Sequence, residues 1–319
     1  MTPSSESGWR SRRVTDGLYG SEELSELVRG ESVLDGTFEC LRRIWSQPNA
    51  LADRNLNTSE YQTRALEHHL GQQEPKLYDE LKASMGDHPI TQLDSGCGVI
   101  MDALSFREGF QLEQDLSTDH GWEVSFDWAA IERLPSATEF ICREWFDAGS
   151  PSAVNRDDYR FVGDLDVPQL PGTEPEYVWT RHPDRRLEEA MKGNYSVEEL
   201  TDIYDDVKGL LEDIVAESVH EEFLVTSDHG YINQLGGNPY ALSDSDEEAL
   251  SNKFHGRHRE VEDGYVFDQL RDSGVIERVG GHYVVKGHYT WTKRGASKRI
   301  MHGGFSLPEC MTPVLRIST

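Results

Sequence analysis

Lysine is scarce in this chain. Of the 31 basic residues among its 319, 8 are Lys and 23 are Arg, set against 58 Asp and Glu, which leaves a formal charge of −27. A balance of that sign excludes a generic basic clamp on nucleic acid, whose affinity comes from neutralising phosphates. Carboxylates hold water while high ionic strength screens their repulsion, so an acidic, lysine-poor surface leads us to expect a halophilic, cytoplasmic protein. Cysteine is sparse too. Cys40, Cys97, Cys142 and Cys310 lie far apart with no Cys-x-x-Cys pair, which removes a zinc ribbon and a disulfide framework. No apolar run approaches the ~18 residues of a membrane span, and the opening MTPSSESGWRSRR lacks the apolar stretch of a signal peptide, so no membrane partner is expected. What is present, 36% hydrophobic residues of which a quarter are aromatic (9% of the chain), is enough for a folded core.

The hydrophobic pattern changes character once. Residues 1–20 have no period. Over 21–84, apolar residues recur at helical spacing (Leu24, Leu27, Val28; Phe38, Leu41, Ile44, Trp45; Tyr61, Ala65, Leu66, Leu70), which predicts a helical N-terminal region within residues 1–93. After Gly96 comes the short apolar run Cys97-Gly98-Val99-Ile100-Met101 and then Asp102, the pattern of a buried parallel strand ending in a functional loop. Helical spacing follows over 103–116, and further strands are expected at 122–128, 177–179, 223–226 and, closing the chain, 313–317. The strongest helical stripe (Leu200, Ile203, Tyr204, Val207, Leu210, Leu211, Ile214, Val215) lies between the third and fourth strands, with Ser196 and Glu199 spaced as a capping box. Strands alternating with helices predict an α/β fold, a mainly parallel sheet flanked by helices over residues 94–319. Residues 233–263 read as an irregular insertion, 265–270 as a short helix, and 275–278 with 282–286 as a hairpin turning at Gly280-Gly281.

Open α/β sheets hold ligands beyond the carboxyl ends of their strands. Three such ends carry Asp102, the run Thr226-Ser227-Asp228-His229-Gly230, and Asp184, while His302-Gly303-Gly304 adds an imidazole beside two glycines. Aspartate and imidazole together are donors that suit zinc or manganese. Taken singly, each reads as well as ordinary scaffolding: a strand-end Asp caps a helix, Pro135-Ser136-Ala137-Thr138 starts one, and His302 occupies a turn.

Taken in order, Val99-Ile100-Met101-Asp102-Ala103-Leu104, Leu134-Pro135-Ser136-Ala137-Thr138, Thr226-Ser227-Asp228-His229-Gly230, and His302-Gly303-Gly304-Phe305-Ser306 with Glu309 and Pro313-Val314 resemble the PglZ domain family of the alkaline phosphatase superfamily, over about residues 94–319. The resemblance implies an alkaline-phosphatase-like fold and a metal-dependent phosphoester hydrolase, phosphodiesterase or phosphatase, with two divalent ions, zinc or manganese. It implies that Asp102, Asp228 and His229 hold one metal together with Thr138, the nucleophile. His302 would hold the second, with Asp184 and Glu188 one helical turn apart. Many superfamily members have His at the second of these two positions, so Glu188 makes the site richer in oxygen; His182 is the substitute ligand and Ser136 the alternative nucleophile. Ser105 stands where the family commonly has Arg. The implied substrate is a phosphoester of nucleotide or nucleic-acid type, and the implied partners are proteins of a BREX-type phage-defence system. A non-catalytic assembly subunit of such a system is the competing expectation. Residues 1–93 carry no motif of the family.

Two further features bear on function. Residues 253–299 contain ten basic and six acidic side chains, a local charge of +4, expected either to draw a phosphate toward His302 or to form salt bridges on a surface loop. The helix and hairpin at 265–286 admit a winged-helix reading that the acidic surroundings oppose. Sulfatase chemistry would need a modified Cys or Ser in a CxPSR-like setting, which Cys142 lacks.

Overall fold

Every position of Cys97–Met101 is buried, as a strand covered on both faces requires. The computed structural model describes residues 32–319 apart from 48, 74–75, 193–197, 235–239, 255, 263–266, 294–295 and 298–299. Cys97–Met101, β1, lies in a six-stranded sheet with β2 (Glu123–Ala130), β3 (Tyr159–Val162), β4 (Glu176–Thr180), β5 (Glu222–Thr226) and β13 (Met311–Ser318), in the order β2-β13-β5-β1-β4-β3. Strands β3, β4, β1 and β5 run parallel, and β13 inserts antiparallel between β5 and β2. The result is the α/β arrangement expected, a mixed and mainly parallel sheet preceded by helices.

Among the described residues three helices precede the sheet: α1 (Val33–Trp45), α2 (Asp53–Gln73) and α3 (Lys76–Ala83). Helices α4 (Phe106–Asp119), α5 (Thr138–Phe146), α6 (Asp184–Lys192) and α7 (Glu198–Glu217) then alternate with the strands. Because successive strand residues face opposite sides of a sheet, Val99 joins one apolar cluster and Ile100 another. The first cluster also takes in Leu41, Trp45, Leu77 and Leu81 from the opening helices together with Phe110, Leu211, Val225 and Leu315. The second packs Ile100, Trp179, Leu224 and Val314 against Cys142 and Tyr159.

The structure differs from the sequence pattern at several elements. Ala103 adopts φ 62°, and α4 starts only at Phe106, behind a capping box between Ser105 and Glu108. Strand β3, Tyr-Arg-Phe-Val, was not expected, since four residues show too little alternation to be read. The stretch read as an irregular insertion contains the short strand β6 (Ile232–Asn233), the helix α8 (Asp244–Lys253) and β7 (His258–Glu260). The helix expected at 265–270 is found as α9 (Asp268–Asp272), and the expected hairpin as β8 (Ile276–Val279) and β9 (His282–Val285), which with β7 make a sheet in the order β7-β9-β8. Short pairs β10 (Thr292–Lys293) with β11 (Ala296–Ser297), and β12 (Ile300–Met301) with β6, precede α10 (Leu307–Cys310). Ser196 of the expected capping box lies outside the described residues. Among the described residues no helix is long and apolar enough to cross a membrane.

Helix α2 carries a buried polar stripe, Glu60, Thr63, Arg64 and Glu67, at the i, i+3, i+4, i+7 spacing of one helix face. Glu60 pairs with Arg107 at 2.8 Å, Thr63 accepts from Trp45 Nε1, and Arg64 donates to Asn233 O. Glu67 accepts from Tyr78 OH (2.8 Å), Leu307 N (3.0 Å) and His288 Nε2 (2.9 Å). Asn233 and Leu307 follow the Asp228-His229 and His302 loops closely, so this helix braces both. Glu67→Ala removes the carboxylate that Tyr78, His288 and Leu307 N share and should lower stability by ~3–5 kcal/mol in urea unfolding, with Glu67→Gln losing less. A loss below ~1 kcal/mol for the alanine variant would contradict this bracing.

Candidate metal centre

Backbone hydrogen bonds lock together the loops that leave β1, β4 and β5. Asp102 N donates to Thr180 O (3.1 Å), Asp184 N to Asp102 O (3.0 Å), and Ser227 Oγ to Met101 O (2.8 Å). Asp102, Asp184 and Asp228 therefore emerge side by side at one end of the sheet. Asp228 is fully buried: its Oδ1 accepts from Ala103 N, while Oδ2 has no hydrogen-bond partner among the described residues. The next residue turns tightly beneath α10. Gly230 N donates to Glu309 O, and a Cβ at Gly230 would lie 2.1 Å from Pro308 O, so glycine is required by close approach of backbone.

The Asp228 turn aims the ring of His229. Its Nδ1 lies 3.0 Å from Gly230 O, which can only accept, so Nδ1 carries the proton and Nε2 presents its lone pair. That atom stands 3.6 Å from Asp228 Oδ2, 3.7 Å from Asp102 Oδ1 and 3.2 Å from Thr138 Oγ1. Thr138 is the first residue of α5, and its hydroxyl donates to Asp102 Oδ1 at 3.1 Å. Asp102, Asp228 and His229 each offer a ligand atom within 4.8 Å of the others.

The electrostatics of this cluster are those of a cation site. Burial, then Asp228 and Asp184, push the Asp102 carboxyl well above the usual range, and burial raises Asp184 to about 6. Two carboxylate charges ~4.8 Å apart repel by about 3 kcal/mol at an effective dielectric of 20. Donors ~2.1 Å from a tetrahedral ion lie about 3.4 Å apart, close to the spacing around His229 Nε2. Asp228 Oδ2, without a hydrogen bond among the described residues, the Nε2 lone pair of His229 and the crowding of the carboxyl groups all fit a divalent cation.

Other expected residues divide. The His302 ring stacks on His229 with centroids 4.4 Å apart, and its Nε2 lies 3.8 Å from Asp184 Oδ1, so both border the cluster. Glu188 does not join them here: its side chain is 41% exposed and faces Arg181 at 3.9 Å. His182 is buried with neither ring nitrogen hydrogen-bonded, but the charges that act on it are Arg185, Asp206, Arg186 and Asp164. Ser136, the alternative nucleophile, instead ties a loop, donating to Gly304 O (2.8 Å) and accepting from Gly303 N (3.2 Å). Ser105 serves as the α4 cap.

Two residues that the sequence did not reveal as partners hold the same loop from its other side. Buried Arg257 pairs with Glu309 at 2.8 Å, and Glu309 accepts from Gly304 N and Ser306 Oγ. The Ser306 to Glu309 spacing was a readable cap signal; Arg257 had none, being 52 residues from its partner. Of the ten basic residues in the positive stretch four are ion-paired, Arg259 with Glu262, Arg271 with Asp268 and Lys286 with Glu277 inside the stretch and Arg257 with Glu309 beyond it, while Arg294, Lys298 and Arg299 lie outside the described residues.

A family described as the BREX system PglZ alkaline phosphatase-like domain matches residues 141–317, more than half of the chain. The chain belongs to the PglZ family. The matched span includes Asp184, Asp228, His229 and His302 and starts three residues after Thr138. No curated protein matches this PglZ chain. Among solved structures, phosphonoacetate hydrolase from Sinorhizobium meliloti 1021, crystallised with phosphonoformate, aligns at 11% identity with TM-score 0.38, covering 70% of this chain and 90% of that one. Murine ectonucleotide pyrophosphatase / phosphodiesterase 5 aligns at 16% identity with TM-score 0.23, covering 45% and 47%.

If Ser136 is a tie and not a nucleophile, Ser136→Ala should lower stability by ~1–3 kcal/mol, because Gly303 N–H and Gly304 C=O both lose a buried partner. If the chain turns over phosphoesters, Ser136→Ala should retain that activity and Thr138→Ala should not. Complete loss of turnover in Ser136→Ala protein with unchanged urea midpoint would reverse the assignment.

Proposed function

We propose that this PglZ-family chain is a metal-dependent phosphoester hydrolase with Thr138 as its nucleophile. The observation that supports it most is the Thr138 hydroxyl, 3.1 Å from Asp102 and 3.2 Å from His229 inside a three-residue ligand cluster. Asp102, Asp228 and His229 would hold one divalent cation, zinc or manganese by the donor set. Asp184 and His302 would hold a second. Bound there, such cations supply Lewis-acid charge that eases ionisation of a neighbouring hydroxyl and offsets charge on a phosphoryl oxygen.

The chain's own groups do the rest. The hydrogen bond to Asp102 Oδ1 orients the Thr138 hydroxyl within the ligand cluster and leaves the lone pairs of Oγ1 for phosphorus. In-line attack forms the Oγ1–P bond as the bond from phosphorus to the leaving alcohol oxygen breaks. Water then displaces Thr138 from the phosphothreonine, releasing phosphate or a phosphomonoester and restoring the hydroxyl. The family's description names the BREX system, and phage defence is the setting proposed for this activity. Within it, a subunit that binds partners without catalysis is the competing reading.

Metal content and hydrolysis of a chromogenic phosphodiester and phosphomonoester test the proposal together. Thr138→Ala should keep its metal and lose activity by about three orders of magnitude or more, whereas Asp228→Ala should lose both. Wild type and Thr138→Ala equally inactive when metal-loaded, with partner binding intact, would favour the assembly subunit. The metal-free protein should also respond to pH. An acid whose folded pKa is raised, as Asp184's is to about 6, destabilises the fold once pH exceeds that value and ceases to do so as pH falls toward the unfolded pKa near 4. Metal should therefore raise the melting temperature more at pH 8 than at pH 5; an equal rise at both would contradict carboxylate ligation.

A further inference from the structure

A cavity of about 500 Å³ opens at the end of the sheet opposite the metal cluster, where β1 and β5 begin. Its size falls within the ~300–1,000 Å³ of small-molecule sites. Strand β1, ~17 Å long at ~3.3 Å per residue, separates it from Asp102. Leu224 and Arg316, register partners on β5 and β13, line it from the sheet, and Pro89 and Leu93 line it from the segment that precedes β1. The turn Pro89–Gln92 in that segment is moored by fully buried His88. Nδ1 of His88 accepts from Ile90 N (3.3 Å), so Nε2 carries the proton, 3.2 Å from Thr312 Oγ1 and 3.3 Å from Thr226 Oγ1. This wall is therefore in place before any ligand arrives.

The charges that line the cavity are only partly satisfied within the chain. Glu222 accepts from Ser318 Oγ at 2.8 Å and Asp87 accepts from Gln92 Nε2, but the Asp94 side chain has no hydrogen bond or ion pair among the described residues. The Arg316 side chain has none either, although it shares the cavity with these three carboxylates. Arg42, Arg107 and Arg257 by contrast each hold a carboxylate at 2.8–2.9 Å. Alternate residues share a face of a strand, so the stem of Arg316 extends the row of Val314, a member of the apolar cluster around Ile100 and Leu224, while the residue stays exposed to solvent. Its planar fork of donors suits the two oxygens of one carboxylate.

We propose that this cavity binds a basic α-amino acid, either free or as the last residue of a polypeptide, with the carboxylate on Arg316 and the cationic group on Asp94. One guanidinium accommodates one carboxylate. The three acidic residues leave the cavity at a net −2, which disfavours a phosphate or a dicarboxylate and favours a ligand with more cation than anion. Pro89, Leu93 and Leu224 cover the methylene stem between its two charged ends. This site shares no residue with the metal cluster and does not depend on the phosphoester reading.

Calorimetric titration of the full chain with L-arginine, agmatine and Nα-acetyl-L-arginine tests this, with the urea midpoint measured on the same samples. L-Arginine should bind, and agmatine, which lacks the carboxylate, should bind about tenfold more weakly or worse. Arg316→Ala should lower the affinity for L-arginine to that for agmatine and leave agmatine binding unchanged, whereas Asp94→Asn should weaken both. Neither variant should move the urea midpoint, because neither side chain is paired. Acetyl-arginine bound as tightly as L-arginine would support the site with a chain terminus as its occupant, and weaker binding would support it with the free amino acid. No binding of L-arginine, or equal affinity in wild type and Arg316→Ala, would overturn the inference and leave the hydrolase reading untouched.

Discussion

Three aspartates on neighbouring strands are held against one another at the end of the sheet, and their repulsion is the constraint around which the rest of the site is arranged. Burial, then the charges of Asp228 and Asp184, raise the proton affinity of Asp102, and burial, Glu188 and Asp228 raise that of Asp184. A fold left to itself separates such groups. Here the backbone forbids it, because the three loops are hydrogen-bonded to one another directly behind the side chains. A site whose stability is lowered in this way gains most from a cation, since every ligand that binds also relieves its neighbours.

The restraint comes from outside the sheet as well. Ser136 ties the loop that starts α5 to the glycines after His302, and the Arg257–Glu309 pair grips those glycines from the opposite side. Arg257 enters from the stretch just before β7, so the small sheet β7-β9-β8 is connected to the position of His302. Helix α2 reaches the same loops through Arg64 and Glu67. Elements distributed over more than two hundred residues thus converge on six side chains, Asp102, Thr138, Asp184, Asp228, His229 and His302, and buried polar bonds tie helix α2 to the loops beside them.

Much of this was legible in the sequence where a local pattern matched a local structure. The all-apolar run before Asp102 and the closing strand are found where the pattern puts them, because β1 is buried along its whole length and the closing strand over Met311–Leu315. Helix α2 was read only in part: periodicity found the buried Leu66 and Leu70 and passed over the equally buried Glu60, Arg64 and Glu67, because polar residues carry no hydrophobic signal. Glu188 lies one turn after Asp184 as a ligand would, yet spacing along a helix says nothing about an arginine waiting beside it. Arg257 was invisible because its meaning depends on a carboxylate that only folding brings near. The antiparallel course of β13 likewise follows from pairing with β2 and β5, not from its own residues.

Anomalous diffraction from crystals soaked in manganese or zinc, recorded at the absorption edge of the metal, tests the central claim most directly. The account predicts a peak bounded by Asp102, Asp228 and the Nε2 of His229, with Thr138 Oγ1 beside it. A peak coordinated elsewhere, or none at saturating metal, would contradict it.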